Sequence, residues 1–179
     1  MTAHVEKEGR VIIEAERTVS RQTRGGVSWV NGTSKAGYVG AGYVMANPDS
    51  GRKSGSDYVT KAAELRYAVT FTTTGTYEVW LRTWAPNSHG DTVHVGVNDK
   101  MVNSAKRIWA RTHKAWAWTR ATKAGEIATI RVASPGVHVI NIWMHEDGMR
   151  IDRILLRKDG PKPLGVGPGE SARTQVPAR

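Results

Sequence analysis

The chain has 179 residues and no cysteine, so neither a disulfide frame nor a thiolate metal site is open to it. Its length suits one domain with a real hydrophobic core, and no apolar run is long enough to span a bilayer. Lys and Arg outnumber Asp and Glu by 26 to 16, a net charge of +10, which favours anionic partners.

Residues 1–9 read as a polar N-terminal arm with no hydrophobic signal core. The expectation is a cytoplasmic chain, one that has lost its signal, or a piece excised from a longer exported protein. The first apolar run, Val11–Glu16, carries carboxylates at Glu14 and Glu16, two apart and so on one face of a strand. Tyr38–Met45 follows, then a polar loop at Asn47–Asp57 that is expected to be mobile. Leu65–Phe71 and Tyr77–Trp84 are joined by the glycine-bearing hairpin loop Thr72–Thr76. Thr92–Val97, Ala115–Thr119, Ile127–Val132, Val137–Met144 and Ile151–Leu156 complete the predicted strands, with turns at Asn98-Asp99 and Ser134-Pro135-Gly136.

No stretch holds a helical period over eleven or more residues. Short period-two runs at regular spacing predict an all-β sandwich or barrel, with residues 10–157 as its body. From residue 158 to 179 the composition turns to Pro and Gly. That segment is expected to be an extended tail or linker, unable to build a strand ladder.

Two features carry chemistry. If the first and last strands pair, Asp152 joins Glu14 and Glu16 as a third oxygen donor. Neighbouring carboxylates repel unless a cation sits between them, which suggests a hard ion such as calcium held by oxygens alone. The competing reading pairs Glu14 and Glu16 with Arg17 or Arg153. The second feature is the stretch from Lys100 to Lys123, with seven basic residues, no acidic one, and Trp109, Trp116 and Trp118. It suits an acidic glycan or nucleic acid, or is simply a solvated positive face.

Glu14-Ala15-Glu16, Gly37-Tyr38-Val39-Gly40 and Gly75-Thr76-Tyr77-Glu78-Val79-Trp80-Leu81-Arg82 resemble the jelly-roll carbohydrate-binding modules of the galactose-binding-like superfamily. So do Pro135-Gly136-Val137-His138, Glu146-Asp147-Gly148 with Ile151–Leu156, and the tail Gly167-Pro168-Gly169-Glu170-Ser171. The chain is most similar in these motifs to the modules resembling families 6 and 35 and to the C-terminal domain of family 115 glycoside hydrolases. The resemblance implies a jelly-roll β-sandwich of two antiparallel sheets. It also implies a structural Ca2+ on Glu14, Glu16 and Asp152, helped by backbone carbonyls near Thr33 to Lys35, and a sugar site in the loops at one end. Large exported bacterial proteins carry such modules, so an extracellular or cell-surface setting with neighbouring domains is expected.

Sugars are held by an aromatic platform against the ring and planar polar groups around its edge. The candidates are Trp84 with Asn87, His89 and Asp91; Trp116 and Trp118; and the polar loop His145, Glu146 and Asp147. Plainer roles compete with them. At least one of Trp116 and Trp118 is expected to be structural, Asp147 to cap its turn beside a positive-φ Gly148, and His138 to bond a turn. Trp80 and Trp143 read as packing, while Tyr38 and Tyr43 flank glycines near the ligand end.

Catalysis is not expected. His145, Glu146 and Asp147 point alternately in extended chain, and neither a nucleophile motif nor a zinc helix is present. A glycosidase would need two carboxyls about 5 to 9 Å apart, which Glu146 and Asp91 supply only for particular loop positions. The leading expectation is non-catalytic binding of an acidic polysaccharide or oligosaccharide. A structural subunit of a surface layer, filament or phage particle is the rival. Nucleic acid is not expected as a partner, since no nucleic-acid motif accompanies the basic stretch.

Overall fold

A computed structural model describes residues 1–177. In chain order the strands are β1 (Thr2–Val5), β2 (Arg10–Glu14), β3 (Ser20–Gln22), β4 (Ser28–Gly32) and β5 (Tyr43–Asn47). After one helical turn, α1 (Tyr58–Lys61), come β6 (Glu64–Phe71), β7 (Gly75–Trp84), β8 (Thr92–Val97) and β9 (Lys100–Met101). A 3-10 turn at Asn103–Ala105 leads to β10 (Ile108–Trp109), β11 (Ala117–Thr119), β12 (Thr129–Val132), β13 (Gly136–Met144), β14 (Arg150–Arg157) and β15 (Arg173–Gln175).

Among the described residues these strands form two stacked sheets. One runs β10-β8-β13-β6-β1-β15, with β3 also beside β6 and β9 beside β8. The other runs β11-β7-β14-β5-β4, with β12 also beside β7 and β2 beside β14. The fold is the expected all-β sandwich, and its pairs are antiparallel except β1 with β6, which run parallel.

Alternation decides which side chains face inward. In β7, Tyr77, Val79 and Leu81 enter the core, while Trp80, Arg82 and Trp84 face out. The pairing of β2 with β14 joins the first predicted strand to the last, with Glu14 opposite Arg153. A bulge in β14 breaks the register against β7 between Ile151 and Arg153. Ile151 and Ile154 both remain in the core, so Asp152 and Arg153 both turn outward, which strict alternation forbids.

Several expectations change. Residues 1–9 are not a free arm, because β1 pairs with β6. The Tyr38–Met45 strand begins only at Tyr43, since Gly40 and Gly42 take positive φ and bend the chain. The tail builds a ladder after all: β15 pairs with β1, Thr2 opposite Gln175. Before that it crosses the outer face of the β7–β14 sheet. Gly165 O accepts from Trp118 Nε1 (3.1 Å) and Arg82 Nε (3.3 Å). Arg153 Nη1 donates to Val166 O (2.8 Å) and Pro168 O (2.6 Å). Gly167 lets the tail close on the indole, because a Cβ there would lie 2.7 Å from Trp118 Cζ2.

Candidate functional site

Five connections meet at one end of the sandwich: residues 33–42, 48–57, 85–91, 110–116 and 145–149. Lys114 N donates to Ala85 O (2.8 Å), and Trp116 Nε1 to Ala36 O (3.0 Å). Asp91 N donates to Glu146 Oε2 (3.2 Å), and the Lys53 ammonium lies 2.8 Å from Glu146 Oε1.

Two of the predicted platform indoles stand at this end. Trp84 closes β7 on its outward row, half-buried, with Lys35 Nζ 4.8 Å and the Arg150 guanidinium 4.5 Å from its ring centre. β11 pairs with β7 through Ala117 and Thr83, so one step further Trp116 comes across from Trp84. Trp116 is half-buried against Tyr43 (5.3 Å between ring centres), and Tyr43 in turn meets Tyr38 (6.0 Å). Asn87 and His89 are exposed beside them, tied by His89 N donating to Asn87 Oδ1 (2.8 Å).

The three carboxylates assigned to the sugar do other work. Asp91 is fully buried; its Oδ2 accepts from Trp109 Nε1 (2.9 Å) and faces His113 Nε2 and Lys123 Nζ, each at 3.3 Å. Asp147 is also fully buried. Its Oδ1 accepts from Gly51 N (2.8 Å) and Arg52 N (3.0 Å), and its Oδ2 from Ser50 N (3.0 Å) and Ser50 Oγ (2.8 Å). The Asn47–Asp57 loop, expected to be mobile, is therefore pinned, and Asp147 is a loop clamp with Gly148 at φ +87° beside it.

Glu146 is 4% exposed and accepts from Thr92 Oγ1 (2.8 Å) as well as Asp91 N and Lys53. Burial opposes its charge, but the Lys53 ammonium, the Thr92 hydroxyl and the Asp91 amide outweigh it and hold the carboxyl at about 2. Its depressed folded-state value stabilises the fold above the ordinary value of 4.5, and that stability drains away as pH falls through about 2. Thermal unfolding of wild type and Glu146→Gln should therefore differ most above pH 4.5 and converge as pH falls towards 2; a gap constant with pH would contradict this ion pairing.

His145 is half-buried, its Nδ1 2.6 Å from Thr92 Oγ1, and burial pushes its pKa below the ordinary histidine value. Trp118 is withdrawn from solvent. It is 6% exposed, packed with Ile12, Trp80 and Leu155 beneath the tail, so it offers no platform. Trp80 shares that packing, Trp143 is fully buried against Tyr58 and Ala62, and His138 Nε2 bonds Ser134 O at 2.9 Å. Of the predicted ligand set, Trp84, Asn87, His89 and Trp116 keep accessible surface at one end, with His145 beside them. Lys35 and Arg150, which grip Trp84, carried no sequence signal, because only the folded loops bring them to the ring.

The predicted metal ligands also meet on the outer face. Glu14 Oε1 lies 2.7 Å from Arg153 Nη2, as the ion-pair reading expected, while Arg17 reaches Glu170 instead. Asp152 Oδ1 accepts from Val39 N (2.9 Å), and Oδ2 pairs with Arg82. Glu16 Oε1 accepts from Ala41 N (3.0 Å). Glu14 Oε2 and Glu16 Oε2 remain buried with no partner. Gly40 passes over both groups, and a Cβ on it would fall 2.7 Å from Glu16 Oε1. Burial pushes Glu14 up despite Arg153, and Asp152 up despite the Val39 amide and Arg82. Among the described residues the carboxylates do not close into a three-ligand cluster, and Lys35 O, one of the carbonyls expected to help, lies 3.4 Å from Trp116 Nε1.

Residues 3–170 match the family described as the glycosyl hydrolase family 115 C-terminal domain. An uncharacterized protein P23 of Formosa agariphila is 26% identical over 196 residues, covering 91% of this chain and 47% of its own length. The chain thus spans about half of that relative. Among solved structures, the Podospora anserina GH26-CBM35 β-(1,4)-mannanase superposes with a TM-score of 0.60 at 19% identity, over 88% of this chain and 29% of its own. The family 35 carbohydrate-binding module of Paenibacillus barcinonensis gives 0.57 at 22% identity, over 83% of this chain and 99% of its own. These likenesses show a shared fold, the β-sandwich of carbohydrate-binding modules.

Proposed function

The chain belongs to the glycosyl hydrolase family 115 C-terminal domain family, and we propose that it is a non-catalytic module that binds an acidic polysaccharide in an extracellular setting. The observation that carries this reading is the pair Trp84 and Trp116, set across from each other at the loop end with Lys35 and Arg150 on the Trp84 ring. Indole faces suit the C–H face of a pyranose, and ammonium and guanidinium groups suit carboxylate or sulfate substituents. Exposed Asn87 and His89 supply edge hydrogen bonds to hydroxyls. Asp91 and Glu146 are buried and committed to an amide, a hydroxyl, an indole N–H and lysines, so they are poorly placed to act on a glycosidic bond.

Affinity electrophoresis through gels cast with acidic and neutral polysaccharides tests the proposal. Retardation should be strongest in an acidic gel, and unaltered migration in every gel would overturn it.

The same reading includes a structural Ca2+ held by Glu14, Glu16 and Asp152. Three carboxylates against Arg82 and Arg153 leave a formal charge of −1, and two buried carboxylate oxygens lack a partner, which suits a hard divalent ion. When bound, the ion would supply charge neutralisation. The chain's own part is to bring β2, β14 and the 33–42 loop together around it. At ten times its Kd, calcium should raise stability by about 1.4 kcal/mol, roughly 3–6 °C in Tm for a chain of this size. EDTA should reverse the shift and Glu14→Gln with Glu16→Gln abolish it. An identical Tm with calcium and EDTA would remove the metal from the account.

A further inference from the structure

The loop-end indoles absorb only part of the basic stretch between Lys100 and Lys123. Trp109 is occupied, its Nε1 donating to Asp91 and its ring carrying Lys123 Nζ at 4.2 Å. Part of the rest borders a separate groove of about 330 Å3 on the outer face of the β7–β14 sheet, between residues 119–127 and Lys162 of the tail. The volume lies at the small end of ligand pockets, suited to a single sugar ring.

Its chemistry is one-sided. Arg111, Arg120 and Lys162 line it against the single carboxylate of Glu126, three cations less one anion, a formal +2. Arg120 is already engaged, paired with Glu78 and stacked 4.7 Å over Trp80. Arg111 and Lys162 are exposed; Arg111 lies 5.6 Å over the Trp109 ring, and among the described residues neither has a hydrogen-bond or ion-pair partner. Ile127, 46% exposed, gives the same groove an apolar surface beside the Trp80 edge. The exposed Ile127 side chain beside the unbonded N–H groups of Arg111 and Lys162 is complementary to a ring that is apolar on one face and anionic at one substituent.

We infer that this groove is a second subsite, taking an acidic pyranose whose carboxylate or sulfate ester meets Arg111 and Lys162. The inference rests on the carbohydrate-binding reading but uses different residues. Trp80 and Trp84 are four positions apart on one strand, about 13 Å, and the tail crosses between the groove and the loop end at Trp118 and Arg82. The two sites therefore hold different residues of one glycan, or different chains.

Indole N–H signals of the 15N-labelled full chain separate the sites, with Trp80 and Trp118 reporting the groove and Trp84 and Trp116 the loop end. Sodium galacturonate or galactose 6-sulfate should shift the Trp80 and Trp118 signals saturably, and methyl galacturonate ester should not. The two acids distinguish carboxylate from sulfate as the preferred group. Replacing Arg111→Ala with Lys162→Ala should weaken the acid response about tenfold or more, as the loss of charge-assisted hydrogen bonds implies. The double variant should leave unchanged the response of Trp84 and Trp116 to oligosaccharides of a polymer retained in the gels. Silence at Trp80 and Trp118, an ester as effective as the acid, or an unaffected double variant would overturn the subsite. So would a response to oligothymidylate alone. Silence at Trp84 and Trp116 while the groove responds would instead count against the loop-end reading.

Discussion

Asp147→Ala should lower stability by about 4 kcal/mol, a Tm drop of roughly 8–16 °C. The carboxylate is fully inside the protein and takes four hydrogen bonds from Ser50, Gly51 and Arg52. Truncation leaves those donors facing an empty site, at about 1–3 kcal/mol for each that water cannot reach. The loop is superficial enough for water to satisfy some of them, which keeps the total below a simple sum. Asp147→Asn keeps one acceptor oxygen and should fall between the two. The released loop should also become sensitive to trypsin at Arg52 and Lys53. Calorimetry and limited proteolysis check both points, and an alanine variant with wild-type Tm and an intact loop would show that Asp147 is not the clamp.

Trp84→Ala should cost about 100-fold in affinity for a retained oligosaccharide, equivalent to about 2.7 kcal/mol. Removing the indole takes away the apolar surface and also frees Lys35 and Arg150, whose positions depend on its faces. Trp116→Ala should lose affinity too, and some stability, because its Nε1 holds the Ala36 carbonyl and its ring packs on Tyr43. Trp118→Ala should behave differently. Its effect belongs to the tail contact at Gly165, so Tm should fall more than affinity does. Calorimetric titration of the three variants separates these roles, and equal affinity for Trp84→Ala and wild type would exclude the platform.

Alternation made most of the sandwich legible. Thr92–Val97 lies where the pattern predicts it, and the first apolar run pairs with the last. The missed strands are too short or too polar to show the pattern: β1 alternates over only Thr2–Val5, and β3 and β15 carry no buried apolar residue. β1 and β15 are terminal partners of each other, and β4 contributes one large inward residue, Trp29. Composition misled at the tail. Pro and Gly do weaken strand pairing, but the carbonyls of this tail are captured by side-chain donors of the sheet, Arg82, Arg153 and Trp118. Such bonds leave no periodic trace.

The site divides in a similar way. Trp84 and Trp116 are recognisable as aromatics at strand ends beside polar loops. Trp116 and Trp118 share one face by parity, and only a tail segment 47 residues further on separates an accessible indole from a covered one. Nothing in the His145-Glu146-Asp147 triplet foretells that Glu146 and Asp147 turn inward to hold neighbouring loops. Asp152 was placed beside Glu14 by pairing alone, yet its outward direction beside an equally outward Arg153 depends on the bulge in β14.

The most direct test is a crystal structure of the protein with an oligosaccharide from its most strongly retained polysaccharide. A sugar ring should lie within about 4 Å of the Trp84 or Trp116 indole, with its acidic substituent towards Lys35 or Arg150 and Trp118 still beneath the tail. Sugar bound elsewhere, with Trp84 and Trp116 untouched, would contradict the assignment of the loop end as the binding site.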